Sequence, residues 1–142
     1  TTYGVLERLD EITEGKPAKI FILLGINDLA RNISNDIILR NYSIIIDRIQ
    51  KESPSTQIYV QTLLPVNGTF KRFMNHYNKA SHILKINRYL RKMTKQKKVN
   101  LIDLYPHFLD ENGRLDIQYT NDGLHLSAMG YRLWALLLRP YL

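Results

Sequence analysis

Two short clusters hold residue types that general acid–base chemistry needs. The first is Gly25-Ile26-Asn27-Asp28, directly after an apolar run, and the second is Asp122-Gly123-Leu124-His125, two residues ahead of Ser127. A histidine works as a general base only when a second group holds its ring in the productive tautomer. Asp122 lies three residues before His125 across a glycine-containing turn, near enough to accept the other ring N–H. That pairing is the base-and-orienter half of a hydrolytic triad. Asn27 offers a side-chain amide at the mouth of the apolar run, where it could donate to the oxyanion of a tetrahedral intermediate. Taken singly, each cluster has a plainer reading. Asn-Asp after a strand commonly makes an Asx turn or a helix cap, and a lone histidine before a helix is more often a surface residue. Their order and placement together carry the inference.

The elements that must position these residues follow from the hydrophobic pattern. Val5, Leu6, Leu9 and Ile12 recur at helical spacing, so a helix is expected from Tyr3 to about Gly15, capped by Thr1 or Thr2. Lys19–Leu24 is continuously apolar and reads as a strand covered on both faces, as in a parallel sheet. Ser34 is the expected N-cap of a helix to about Lys51, with Ile37, Ile38, Tyr42, Ile45, Ile46 and Ile49 in its buried stripe. Gln57–Leu64 reads as a second strand, a loop follows to about Asn75, and a long helix is expected from His76 to Lys97. Val99–Leu104 is the third strand. Ser127 opens the last helix, which is expected to turn Met129, Leu133, Trp134 and Leu137 inward. Helices and strands alternate, so the fold class is α/β, a three-layer α/β/α arrangement with a parallel sheet. Ligands in such sheets bind beyond the carboxyl ends of the strands, which is where Asn27 falls.

With its motifs in this order, the chain resembles the SGNH (GDSL-type) hydrolases, a flavodoxin-like fold. The nearest branch is that of the bacterial platelet-activating-factor acetylhydrolase-like and carbohydrate O-acetylesterase-like members. The family's Gly-x-Asn-Asp block is matched by Gly25, Asn27 and Asp28, and its Asp-x-x-His block by Asp122 and His125. The resemblance implies a serine esterase, with an acetylated sugar or a lipid-like ester as its small substrate and no cofactor or metal. In it, His125 is the general base and then the acid, Asp122 orients it, and Asn27 is an oxyanion donor. Gly25, Asp28, Val66 and Leu124 belong to the substrate and oxyanion loops, with Asp28 holding its turn.

The family's Gly-Asp-Ser nucleophile block and its second oxyanion glycine have no counterpart here. None of Ser34, Ser43, Ser53, Ser55, Ser81 and Ser127 stands in that context. The expectation is therefore a single domain over 1–142 that is incomplete at its N-terminal side. Its first two strands, with the serine, would be supplied from outside, and the chain alone would be inactive. Packing gives the same expectation. If both other strands lie to one side of Ile20–Leu24, that run is left as a bare hydrophobic edge.

The 142 residues carry no cysteine, which excludes disulfides, thiolate metal sites and a cysteine nucleophile. No apolar run is long enough to span a bilayer. No compartment is assigned. The net charge of +7 is confined to the middle: Ser53–Ile102 holds ten basic residues and no acidic one. A basic nucleic-acid or anionic-surface module is one alternative, and a non-catalytic interaction domain on the same fold is another. The charge is densest over Lys85–Lys98, on a helix whose C-terminal half runs away from the expected site. It reads as a solvated face that also suits the helix dipole, and no nucleic-acid partner is expected.

Overall fold

A computed structural model describes residues 1–142. Three parallel strands form the sheet: β1 (Lys19–Ile22), β2 (Gln57–Gln61) and β3 (Asn100–Ile102), in the spatial order β1-β2-β3. Successive β2 side chains alternate between two apolar layers, as a strand must place them. Ile58 and Val60 join a core with α1 (Thr2–Leu6), α2 (Leu9–Glu14), α4 (Asn35–Glu52) and α6 (Ala80–Lys97). Tyr59 turns the other way, stacking on Phe21 at 4.8 Å and packing with Phe108 and Leu115 beneath α7 (Ala128–Leu138). The result is the expected α/β/α sandwich.

The strands are shorter than their apolar runs, for a reason the hydrogen bonds make plain. Past Ile22, the Leu24 backbone is satisfied by a buried side chain: the Tyr42 hydroxyl accepts from Leu24 N at 2.9 Å and donates to Leu24 O at 2.8 Å. Burial pushes the Tyr42 phenol well above its ordinary range. Past Gln61, Asn87 does the same for Leu63, accepting from its N–H at 2.8 Å and donating to its carbonyl at 2.9 Å. Buried backbone groups must find partners, and α4 and α6 supply them where a neighbouring strand does not.

Two expected helices are divided. The segment before Gly15 breaks after Leu6 into α1 and α2. Its two ends are anchored separately. Thr2 is bound to Asp28, and Thr13 donates to Glu52 Oε2 at 2.8 Å. The helix expected from His76 instead splits into α5 (Met74–Tyr77) and α6, with Asn78 ending the short piece. Gly25–Asp28, read as a turn, opens a short helix, α3 (Ile26–Ala30). Ser34 and Ser127 cap α4 and α7, but Ile37 and Met129, expected to face inward, stand exposed because each lies in the first turn of its helix, at the margin of the packed face.

The basic excess lies largely on the outer face of α6. Part of it is paired: Arg91 makes a bidentate bridge to Asp103 at 2.8–3.0 Å, and Lys97 meets Asp47 at 2.5 Å. β1 pairs only with β2 and so forms one edge of the sheet. An apolar groove of about 170 Å³ runs along it, walled by Val5, Leu9, Ile12, Ile20, Ile45 and Ile49 among others. The opposite layer exposes Met129, Tyr131, Leu136 and Leu142. No helix is long and apolar enough to cross a membrane.

Candidate active site

Beyond the carboxyl end of β1 the chain must turn sharply into α3. Gly25 makes that turn at φ 123°, in the region only glycine enters without strain. Its carbonyl accepts from Leu29 N at 2.9 Å, which starts the helix. The turn sends two adjacent polar side chains in opposite directions. Asp28 is fully buried and accepts from Thr2 N at 3.0 Å and Thr2 Oγ1 at 2.5 Å, while Asn41 donates to the same hydroxyl at 2.9 Å. Its carboxylate is thus occupied inside the scaffold. Asn27 is left exposed at the surface.

The second cluster is a tight turn built on Thr120. The Thr120 hydroxyl accepts from Gly123 N at 2.9 Å and donates to His125 O at 2.6 Å. Asp122 Oδ1 accepts from Leu124 N at 2.9 Å and His125 N at 2.8 Å, which turns Oδ2 onto His125 Nδ1 at 2.8 Å. Tyr77 of α5 donates to Asp122 O at 2.6 Å, and Asn67 N donates to Gly123 O at 2.8 Å. The loop after β2 and the turn before α7 are therefore clamped together. The His125 side chain is 67% exposed, and its Nε2 has no hydrogen-bond partner within the chain. A fixed tautomer with the outer nitrogen free is the form a general base needs.

Burial works against ionisation of Asp122, yet the hydrogen bonds from the His125 ring and from the two amides outweigh it and bring its carboxyl down to about 2. Because the folded value is depressed, the stability this group contributes is complete above its ordinary 3.8 and is lost as pH falls toward 2. Asp122→Asn is accordingly expected to be less stable than the parent at pH 6, with the gap closing between pH 4 and 2. Urea unfolding followed by circular dichroism at a series of pH values checks this.

Phe73 and His76 complete the surroundings. The Phe73 ring stands edge-on to His125 at 5.2 Å and to His76 at 6.1 Å, and the Arg72 guanidinium lies over it at 5.4 Å. His76 Nε2 is 3.3 Å from Asn27 Oδ1, so α5 bridges the two halves of the site. Burial, and then the nearby His125, hold the His76 imidazole below its usual range. No local spacing marks His76 for this place, because its partner Asn27 lies 49 residues away in the chain. Of the other expected loop residues, Val66 and Leu124 line a small apolar pocket of about 100 Å³ with Leu24, Ile26, Leu63 and Pro65. Gly25 and Asp28 are not among its walls. No three His, Asp or Glu side chains converge as a metal site would require.

This geometry has relatives. Residues 1–133 match the model of the GDSL-like lipase/acylhydrolase family. N-acylneuraminate cytidylyltransferases of Streptococcus agalactiae are 28% identical over 131 residues, covering 89% of this chain and 29% of theirs. The chain thus spans under a third of the curated relatives it matches. Among solved structures, a candidate platelet activating factor from Streptococcus pneumoniae is 29% identical with a TM-score of 0.89, over 99% of this chain and 67% of that one. A GDSL-like lipase from Bacteroides thetaiotaomicron, 24% identical, has the same fold with a TM-score of 0.88 over 99% of this chain and 70% of its own. So does a lipase/acylhydrolase from Enterococcus faecalis, 24% identical, with a TM-score of 0.81 over 99% and 69%.

Proposed function

This chain belongs to the GDSL-like lipase/acylhydrolase family, and from that premise we propose that it carries the base half of a serine esterase that removes short acyl groups, acetyl above all. The single observation that carries the reading is the Asp122–His125 hydrogen bond of 2.8 Å, with His125 Nε2 free and turned outward. In the proposed reaction a serine hydroxyl attacks the ester carbonyl while His125 Nε2 takes its proton. Ionised Asp122 holds Nδ1–H and balances the imidazolium that forms. Asn27 Nδ2 donates to the oxyanion of the tetrahedral intermediate. His125 then returns the proton to the departing alcohol, leaving an acyl-serine. A water molecule, deprotonated by His125, releases the acid by the same route.

The serine of this reaction lies outside residues 1–142, on a strand that pairs with the free edge of β1. Two observations support that part. The edge is unpaired on its outer side and is lined by an apolar groove, a combination that invites strand addition. None of the chain's own serines is hydrogen-bonded to His125: Ser34 and Ser127 cap helices, Ser53 is bonded to Thr56, and Ser43, Ser55 and Ser81 sit on or after helices α4 and α6. The apolar cavity beside Leu124 suits an uncharged acyl group.

The test is hydrolysis of p-nitrophenyl acetate. The full-length protein is expected to turn the ester over, and residues 1–142 alone are not. Equal turnover by residues 1–142 would place the nucleophile within them and overturn this part of the reading. An O-acetylated N-acylneuraminate is the second ester to assay, given the name of the curated relatives.

A further inference from the structure

We propose that His76 is a positioning residue that turns the Asn27 amide so that its N–H₂ end faces the reacting ester. The inference rests on the esterase reading above and adds a residue to it. An asparagine amide has two unlike ends, an accepting oxygen and a donating nitrogen. Only the nitrogen end can stabilise an oxyanion, so the rotamer of Asn27 decides whether it helps or hinders. Asn27 stands exposed on the first turn of α3, and its side-chain hydrogen bond is with His76, Oδ1 to Nε2 at 3.3 Å. A ring nitrogen that carries its hydrogen there must meet the oxygen. Nδ2 is then the end left for the substrate.

His76 is itself well held. Its backbone N–H donates to Phe73 O at 2.9 Å, and the Phe73 ring packs edge-on against it at 6.1 Å. The same ring spaces His125 at 5.2 Å. One aromatic side chain thereby sets the separation of the base from the group that aims the oxyanion donor. Tyr77, the next residue of α5, anchors the Asp122 carbonyl at 2.6 Å, so the helix that carries His76 is fixed to the catalytic turn. Burial and the His125 charge both favour the neutral His76 ring, which spares the pair a second positive charge when His125 takes up its proton.

Steady-state hydrolysis of p-nitrophenyl acetate by the full-length protein tests the role. Asn27→Ala is expected to lower kcat by about 10²-fold or more. His76→Ala and His76→Phe, which lack the donor, are each expected to lower kcat by about 10-fold with KM unchanged, the scale of a misaimed catalytic group. His76→Phe keeps the packing on Phe73 and guards against a fold effect. His76→Gln restores an N–H donor and is expected to recover most of the loss. In the Asn27→Ala background, His76→Ala is expected to cost nothing further, because the two act as a unit. Unchanged kcat in the His76 variants, or a loss that multiplies with that of Asn27→Ala, overturns the positioning role and leaves the esterase reading standing. Undiminished kcat in Asn27→Ala overturns the oxyanion role of Asn27 and this inference with it.

Discussion

Replacing His125 with alanine is expected to cut kcat for ester hydrolysis by the full-length protein by about 10³–10⁴-fold while leaving the fold intact. The loss combines the missing proton transfer with an unactivated nucleophile. It corresponds to about 4–5.5 kcal/mol of transition-state stabilisation. The fold survives because little of His125 is structural: its side chain is 67% exposed and touches Asp122 and the edge of Phe73. The backbone amide and carbonyl that tie the turn together, to Asp122 Oδ1 and Thr120 Oγ1, remain in the variant. Thermal unfolding within a few degrees of the parent, together with the kcat collapse, separates a chemical role from a packing one. Retained turnover refutes the role given to His125.

Gly123→Ala is expected to fail in the opposite way, through the scaffold. Gly123 sits at φ 80°, which costs a side chain about 1–2 kcal/mol. More severely, a Cβ there would fall 2.2 Å from Asn67 O and 2.9 Å from the Phe70 ring. The Asn67 carbonyl is backbone of a buried residue held by further hydrogen bonds, so it cannot swing aside as a flexible side chain would. The loop after β2 and the turn that carries Asp122 and His125 must separate. A destabilisation of about 3 kcal/mol or more is expected, with kcat reduced even where the protein still folds, since Asp122 and His125 move with the turn. Urea unfolding and kcat measured on the same variant check both parts. A neutral Gly123→Ala would mean that the two loops are not clamped.

What could be read from the sequence, and what could not, divides along physical lines. The sheet and its two helical layers follow from continuous apolar runs alternating with helical stripes, a pattern set by local side-chain spacing. The Asp122–His125 contact was legible because its partners are three residues apart, where a short turn leaves few alternatives. Asn27 and Asp28 were legible as a pair, and the burial of one with exposure of the other follows from Gly25. The breaks inside the helices were not legible, because they depend on distant anchors: Thr2 on Asp28, and Thr13 on Glu52. Nor was the meeting of His76 with Asn27, 49 residues apart, since no local pattern encodes it. The strands stop short of their apolar runs for the same reason. Tyr42 and Asn87 look like core residues of their helices, and only the tertiary structure reveals that their polar atoms end the sheet.

The proposed reaction is tested most directly by labelling the full-length protein with a fluorophosphonate, which reacts only with an activated serine, and mapping the adduct by mass spectrometry. One phosphonylated serine is expected, lying outside residues 1–142, with labelling lost in His125→Ala. An adduct on Ser34, Ser43, Ser53, Ser55, Ser81 or Ser127, or labelling that persists without His125, would contradict the account.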